Sequence, residues 1–219
     1  MLQEIYQAGS IQCRKYPARG NCEDRVYAVL DDSEAEFLLQ GLDSQAPELI
    51  TLSGFDWNRD LSPWPAEKVF ERGEDFLGEG EKTLQILMEQ VVPWAESEKP
   101  KTAILAGYSL AGLFALWAST KTAHFRKIGS MSGSLWYPGF QEYLRIHPPR
   151  CRSVYLSLGD RESHTKNPVM SGIAEHTGAV RLFLESQGYS CRFEWNPGNH
   201  FQKVPERMLK GIRTLCEMP

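Results

Sequence analysis

The chain has 219 residues and a formal net charge of -4 at pH 7, from 24 Lys and Arg against 28 Asp and Glu. That acidic balance argues against nucleic acid, whose binders carry a basic face. It also lacks the ~20-residue apolar run that crosses a bilayer, and its N-terminus, MLQEIYQAGS, has no basic-then-apolar signal segment. The expectation is one cytoplasmic domain with a sizeable core, acting on a small molecule and with no membrane or nucleic-acid partner. Oligomeric state is open.

In chain order, the first 24 residues are weakly patterned and are expected to supply one or two edge strands. Arg25 to Leu30 reads as a strand, apolar and partly β-branched. Ser33 is placed to cap a helix whose apolar side is Ala35, Phe37, Leu38 and Leu39. Leu49 to Leu52 is a second strand, Asn58 to Pro65 a proline-set loop, and Glu79 to Val92 a helix by the spacing of Leu84, Leu87, Met88 and Val91. Ser97 to Lys101 is a charged connection. After a central strand–helix unit come a strand at Lys127 to Met131, an irregular loop to Pro138 and a strand at Ser153 to Leu158. A helix at Glu175 to Gln187, a strand at Cys191 to Trp195 and a helix at Pro205 to Leu215 complete the chain. Strands alternating with helices predict an α/β fold, a mostly parallel central sheet with helices on both faces.

Five cysteines (Cys13, Cys22, Cys151, Cys191, Cys216) are an odd number without CxxC or CxxH spacing. They read as reduced thiols rather than a structural zinc set, and no metal or organic cofactor is expected. A Cys13–Cys22 bridge stays open for an exported protein.

The central unit carries the chemistry. Ala103 to Ala106 runs into Gly107-Tyr108-Ser109-Leu110-Ala111-Gly112, and a helix-like run follows at once. A serine among small residues at a sharp strand-to-helix turn is how an α/β-hydrolase displays its nucleophile. Ala111 stands where the usual GxSxG pattern has glycine. The competing reading is a plain crossover whose serine caps the helix. Two later strands end in Gly159-Asp160-Arg161-Glu162 and in Asn196-Pro197-Gly198-Asn199-His200. The order serine, acid, histidine therefore recurs at carboxyl ends of strands, where open α/β sheets bind ligands. His124, His147, His164 and His176 fit surface, connection, acid-loop and helix positions less suited to a base.

With these marks on the page, the chain resembles the putative-esterase branch of the α/β-hydrolases, which includes enterochelin (siderophore) esterases and esterase D-like enzymes. The resemblance spans roughly residues 25 to 215. It rests on YAVLDD, RDLSPWP (Arg59 to Pro65), GYSLAGLFAL, SGSLWY (Ser132 to Tyr137), GDRE and PGNH in combination. It implies a serine esterase without cofactor. A short N-terminal region is a departure that implies a thinner sheet edge or a reduced lid.

In that reading Ser109 is the nucleophile and His200 its base, then the acid for the leaving alkoxide. The resemblance favours Glu162 as the orienting carboxylate; Asp160 and an acid-free Ser–His pair are the alternatives. Backbone N–H groups of Leu110 and, by resemblance, Phe55 form the oxyanion hole, with Asp56 next in line. Trp136 is a candidate pocket wall. Arg59 either meets an anionic substrate or pairs with Asp60 to fix the oxyanion loop. Trp64 reads as loop packing. An acyltransferase on the same residues and a non-catalytic scaffold are the other functional readings.

Overall fold

The computed structural model describes residues 4–30, 32–42, 44–96 and 100–219. An antiparallel hairpin, β1 (Glu4–Ala8) and β2 (Ile11–Tyr16), opens the chain. Then come β3 (Asp24–Val29), α1 (Asp32–Gly41), β4 (Glu48–Ser53), the single turn α2 (Trp57–Asp60) and the two-residue strands β5 (Pro65–Ala66) and β6 (Phe76–Leu77). A helical stretch, α3 (Gly80–Ile86), passes through a wide π-type turn (Leu87–Val91) into α4 (Val92–Ala95). The second half holds β7 (Thr102–Tyr108), α5 (Leu110–Lys121), β8 (Lys127–Met131), α6 (Phe140–Ile146) and β9 (Ser153–Gly159). It ends with α7 (Pro168–Ser171), α8 (Ile173–Ser186), β10 (Ser190–Asn196) and α9 (Val204–Glu217).

Eight strands form one sheet in the order β1-β2-β4-β3-β7-β8-β9-β10. Strand β2 opposes both neighbours; from β4 to β10 every pairing is parallel. Parallel strands covered on both faces read as unbroken apolar runs. In β3, Tyr27 and Val29 face one hydrophobic cluster, while Val26 and Ala28 face the other. The first cluster packs under α5 and α8, the second under α1 and α9. Helix α5 is buried from Leu110 to Thr120, as its all-round apolar sequence requires. This is the α/β architecture expected. The expected edge strands are the β1–β2 hairpin, so the sheet edge is not thinned.

Several local expectations need correction. Residues 57 to 60 are a helical turn inside the expected loop, because the Asp56 side chain accepts the Arg59 N–H and caps it. The helix expected to stop at Val92 runs on to Ala95; the π-type turn absorbs Pro93, which has no N–H to give the preceding turn. Ser33 is the second residue of α1 rather than its cap. Phe37 in α1 and Leu182 in α8 are exposed, since Ala35, Leu38 and Leu42, and Val180 and Leu184, fill the buried stripes. Residues 97 to 99 of the charged connection lie outside the described residues. All five cysteines are free, and no Cys13–Cys22 bridge forms.

Candidate active site

The parallel sheet sends the carboxyl ends of β4, β7, β9 and β10 to one edge. Ser109 follows β7 with φ 54° and ψ -121°, a sparsely populated backbone conformation. Its N–H donates to Met131 O (3.0 Å), which ties the turn to β8. The turn closes only because Gly107 lacks a side chain: a Cβ there would lie 2.5 Å from the Ala111 backbone carbon and 2.6 Å from its methyl. With glycine at 107, the Ala111 methyl fits, fully buried. Gly107→Ala is expected to cost ~3 kcal/mol, the upper range for overpacking. For a chain of this size that lowers the melting temperature by about 6–12 °C. Thermal denaturation checks this, and an unchanged midpoint would contradict the close approach.

His200 Nε2 lies 2.9 Å from Ser109 Oγ. On the other side of the ring, Nδ1 lies 2.8 Å from Glu162 Oε2. Three residues distant in sequence thus meet in one hydrogen-bonded line. Glu162 is buried, and its second oxygen accepts from Ser132 Oγ (2.6 Å), the Gly159 N–H (2.6 Å) and Arg207 Nη1 (2.8 Å). Burial by itself pushes the Glu162 carboxyl up, but the bonds from His200 and Ser132, the His200 charge and the Gly159 N–H outweigh it. The carboxyl stands below its ordinary value. Asp160 is elsewhere: its side chain is half exposed and accepts the Gly198 N–H (2.9 Å), stitching the acid loop to the histidine loop.

Leu110 is the first residue of α5, where a backbone N–H has no intrahelical acceptor. Phe55 lies in the turn between β4 and α2, half-buried against the core. The Asp56 N–H, the other candidate from that turn, is already given to Asp60 Oδ2 (2.8 Å). Arg59 is held by Asp60 (2.8 Å), Asp56 (3.5 Å) and Glu79 (3.9 Å). The guanidinium is therefore occupied with these carboxylates and is not part of the cavity wall beside Ser109. The pair with Asp60 is the ion pair named as an alternative for Arg59.

A cavity of about 140 Å³ opens at Ser109 and Leu110, walled by Trp57, Phe70, Phe76 and Trp136. A second, of about 210 Å³, opens at His200, with Phe70, Arg161, His164 and Phe201 around it. Trp136 is buried and lines the same cavity as Ser109. Trp64 packs between loops: its Nε1 donates to Pro138 O (3.0 Å) and its own carbonyl accepts from Tyr137 OH (2.6 Å). Of the other histidines, His124 meets Glu96, His176 meets Gln141 and His147 lies tilted against the Tyr143 ring. His164 borders the second cavity beside His200.

Three contributors escaped the sequence reading. Ser132, at φ 47°, reaches Glu162; Ser134 Oγ lies 3.4 Å from Ser109 Oγ; and Arg207 reaches Glu162 from α9. Both serines lie in the SGSLWY string already singled out, but nothing local distinguishes Arg207 from a surface arginine.

The chain is similar to proteins of known sequence and structure. A family model described as "Putative esterase" matches residues 40–203. Protein YbbA of Bacillus subtilis (strain 168), described as uncharacterized, is 31% identical over 154 residues, 66% of this chain. The chain covers 62% of that relative's length. The siderophore hydrolase EstA from Aspergillus nidulans superposes with a TM-score of 0.75 at 18% identity, over 98% of this chain and 94% of that one. An IroE-like serine hydrolase from Shewanella oneidensis gives 0.77 at 17%, over 99% and 80%. The strand order, the strained serine after β7 and the matched three-quarters of the sequence lead to one assignment: the fold is the α/β-hydrolase fold, and the chain belongs to the putative esterase family.

Proposed function

We propose that this protein hydrolyses carboxylic esters of small molecules through an acyl-enzyme on Ser109. The observation that carries the reading is the line Ser109 Oγ, His200, Glu162, with contacts of 2.9 Å and 2.8 Å. A serine hydroxyl is a weak nucleophile at its own pKa and needs an adjacent base. His200 Nε2 takes its proton as Oγ attacks the ester carbonyl. The resulting oxyanion is received by the Leu110 N–H and, with Asp56 already engaged, the Phe55 N–H. His200 then gives the proton to the departing alkoxide, and water repeats the sequence to free the acid. Glu162, held ionised, orients the imidazole and stabilises its charged form. Trp136 and its aromatic neighbours wall the acyl side of the site.

A fluorophosphonate probe tests this directly. Mass spectrometry of the labelled protein should place the adduct on Ser109, and p-nitrophenyl acetate should show a burst of nitrophenol. A scaffold that keeps only the fold would take no label. Adding an alcohol acceptor separates hydrolysis from acyl transfer: a transferase forms the new ester in preference to free acid. EstA is named a siderophore hydrolase; a siderophore lactone, a sugar acetate and a small thioester are the substrates we propose for the first panel.

A further inference from the structure

Arg207 is 2% exposed, on the face of α9 that meets the sheet. Nη1 donates to Glu162 Oε1 (2.8 Å), Tyr108 OH (2.8 Å) and Ser132 Oγ (3.2 Å). Nη2 donates to the carbonyls of Pro197 (3.2 Å) and Asn199 (2.8 Å). Apart from Ser132, which follows β8, these acceptors belong to the three segments that carry the reacting groups. Tyr108 precedes the nucleophile and its hydroxyl donates to His200 O (2.8 Å); Glu162 is the acid; Pro197 and Asn199 lie on the loop that presents His200. The fit is tight from the far side too, because a Cβ on Gly159 would fall 2.6 Å from Nη2.

We infer that Arg207 is a positioning residue that sets both the geometry and the proton affinity of the Glu162–His200 pair. The inference rests on the hydrolase reading above. A guanidinium stays charged at any working pH and offers its donors in a planar fork. Here the fork spans acid loop and base loop at once. Its charge also shares the Glu162 carboxylate with His200, one partner on each oxygen. Without it, His200 would be the cation left in contact with Glu162 and the pair would hold its proton more tightly. Other ionisable groups facing the pair are Tyr108 from β7, Asp160 on the acid loop, and Arg161 and His164 in the second cavity. Burial pushes the Tyr108 hydroxyl up to about 12, so it stays neutral. Replacing Arg207 takes one donor from Tyr108, which stays neutral, so the change of charge beside the pair belongs to Arg207.

The test compares wild type with R207M and R207K on p-nitrophenyl acetate across pH, each checked for cooperative melting. In R207M kcat should fall by about 10²-fold, less than the ~10⁴ lost when acid-base assistance is removed, with KM changed little. The acid limb of its kcat/KM profile should move up by about one pH unit. R207K keeps the charge but not the fork: kcat should fall while the limb stays at the wild-type position. R207Q supplies the neutral comparison if R207M does not fold. An acid limb unmoved in the neutral variant, or loss of cooperative melting in both neutral variants, would overturn the inference and leave a purely structural arginine. Turnover that survives Ser109→Ala would instead sink the hydrolase reading, a separate result.

Discussion

Ser109→Ala is expected to lower kcat on any accepted ester by on the order of 10⁶, with His200→Ala close behind. The two side chains act as one unit: Oγ supplies the attacking electron pair and Nε2, 2.9 Å away, removes the proton that blocks it. Either loss disables the covalent route, so the double variant should be scarcely worse than each single one. What remains, about 10³–10⁴ over water, would come from the oxyanion donors and substrate binding. Melting should stay near wild type, because neither residue is among the buried core side chains. Steady-state kinetics of the three variants, with melting curves alongside, check the point. An alanine variant at 109 with turnover near wild type would remove Ser109 from the mechanism.

Glu162→Gln is expected to cost about 10⁴ in kcat, the scale seen when the carboxylate of such a triad becomes an amide. Both carboxylate oxygens are in use, Oε2 by His200 and Oε1 by Ser132, Gly159 and Arg207. An amide must turn its NH₂ toward one of these groups. Facing His200, it favours the wrong imidazole tautomer; facing Arg207, it sets donor against donor. Asp160→Asn should cost less than tenfold, because asparagine keeps the oxygen that accepts the Gly198 N–H in a half-exposed position. Measured side by side, the larger loss identifies the acid. Equal small losses would favour a Ser–His pair working without one.

Much of this arrangement was legible because its signals are local. The paired burial of Val26 with Ala28 and of Tyr27 with Val29 is the two-residue period of a strand covered on both sides. Gly107 and Ala111 announce a turn in which strand and helix nearly touch. The hairpin was less readable because β2 puts a buried lysine, Lys15, at its third inward position and β1 is mostly exposed. The turn α2 was hidden by Pro63 and Pro65, which follow it and suggested a longer loop.

Arg59 and Arg207 show where a linear reading stops. Next to each other in composition, they differ wholly in setting: one lies among Asp56, Asp60 and Glu79, the other is sealed among the loops of the site. Residue type and spacing alone established the alternating strands and helices, the tight serine turn and the order of serine, acid and histidine, since each depends on neighbours along the chain. Which carboxylate faces His200, which backbone N–H after β4 is already spent, and which arginine joins the three loops were decided only by folding. The pairing of His200 with Glu162 and the reach of Arg207 to Tyr108 need contacts across 38 and 99 residues, and such contacts exist only once the parallel sheet has gathered its carboxyl ends at one edge.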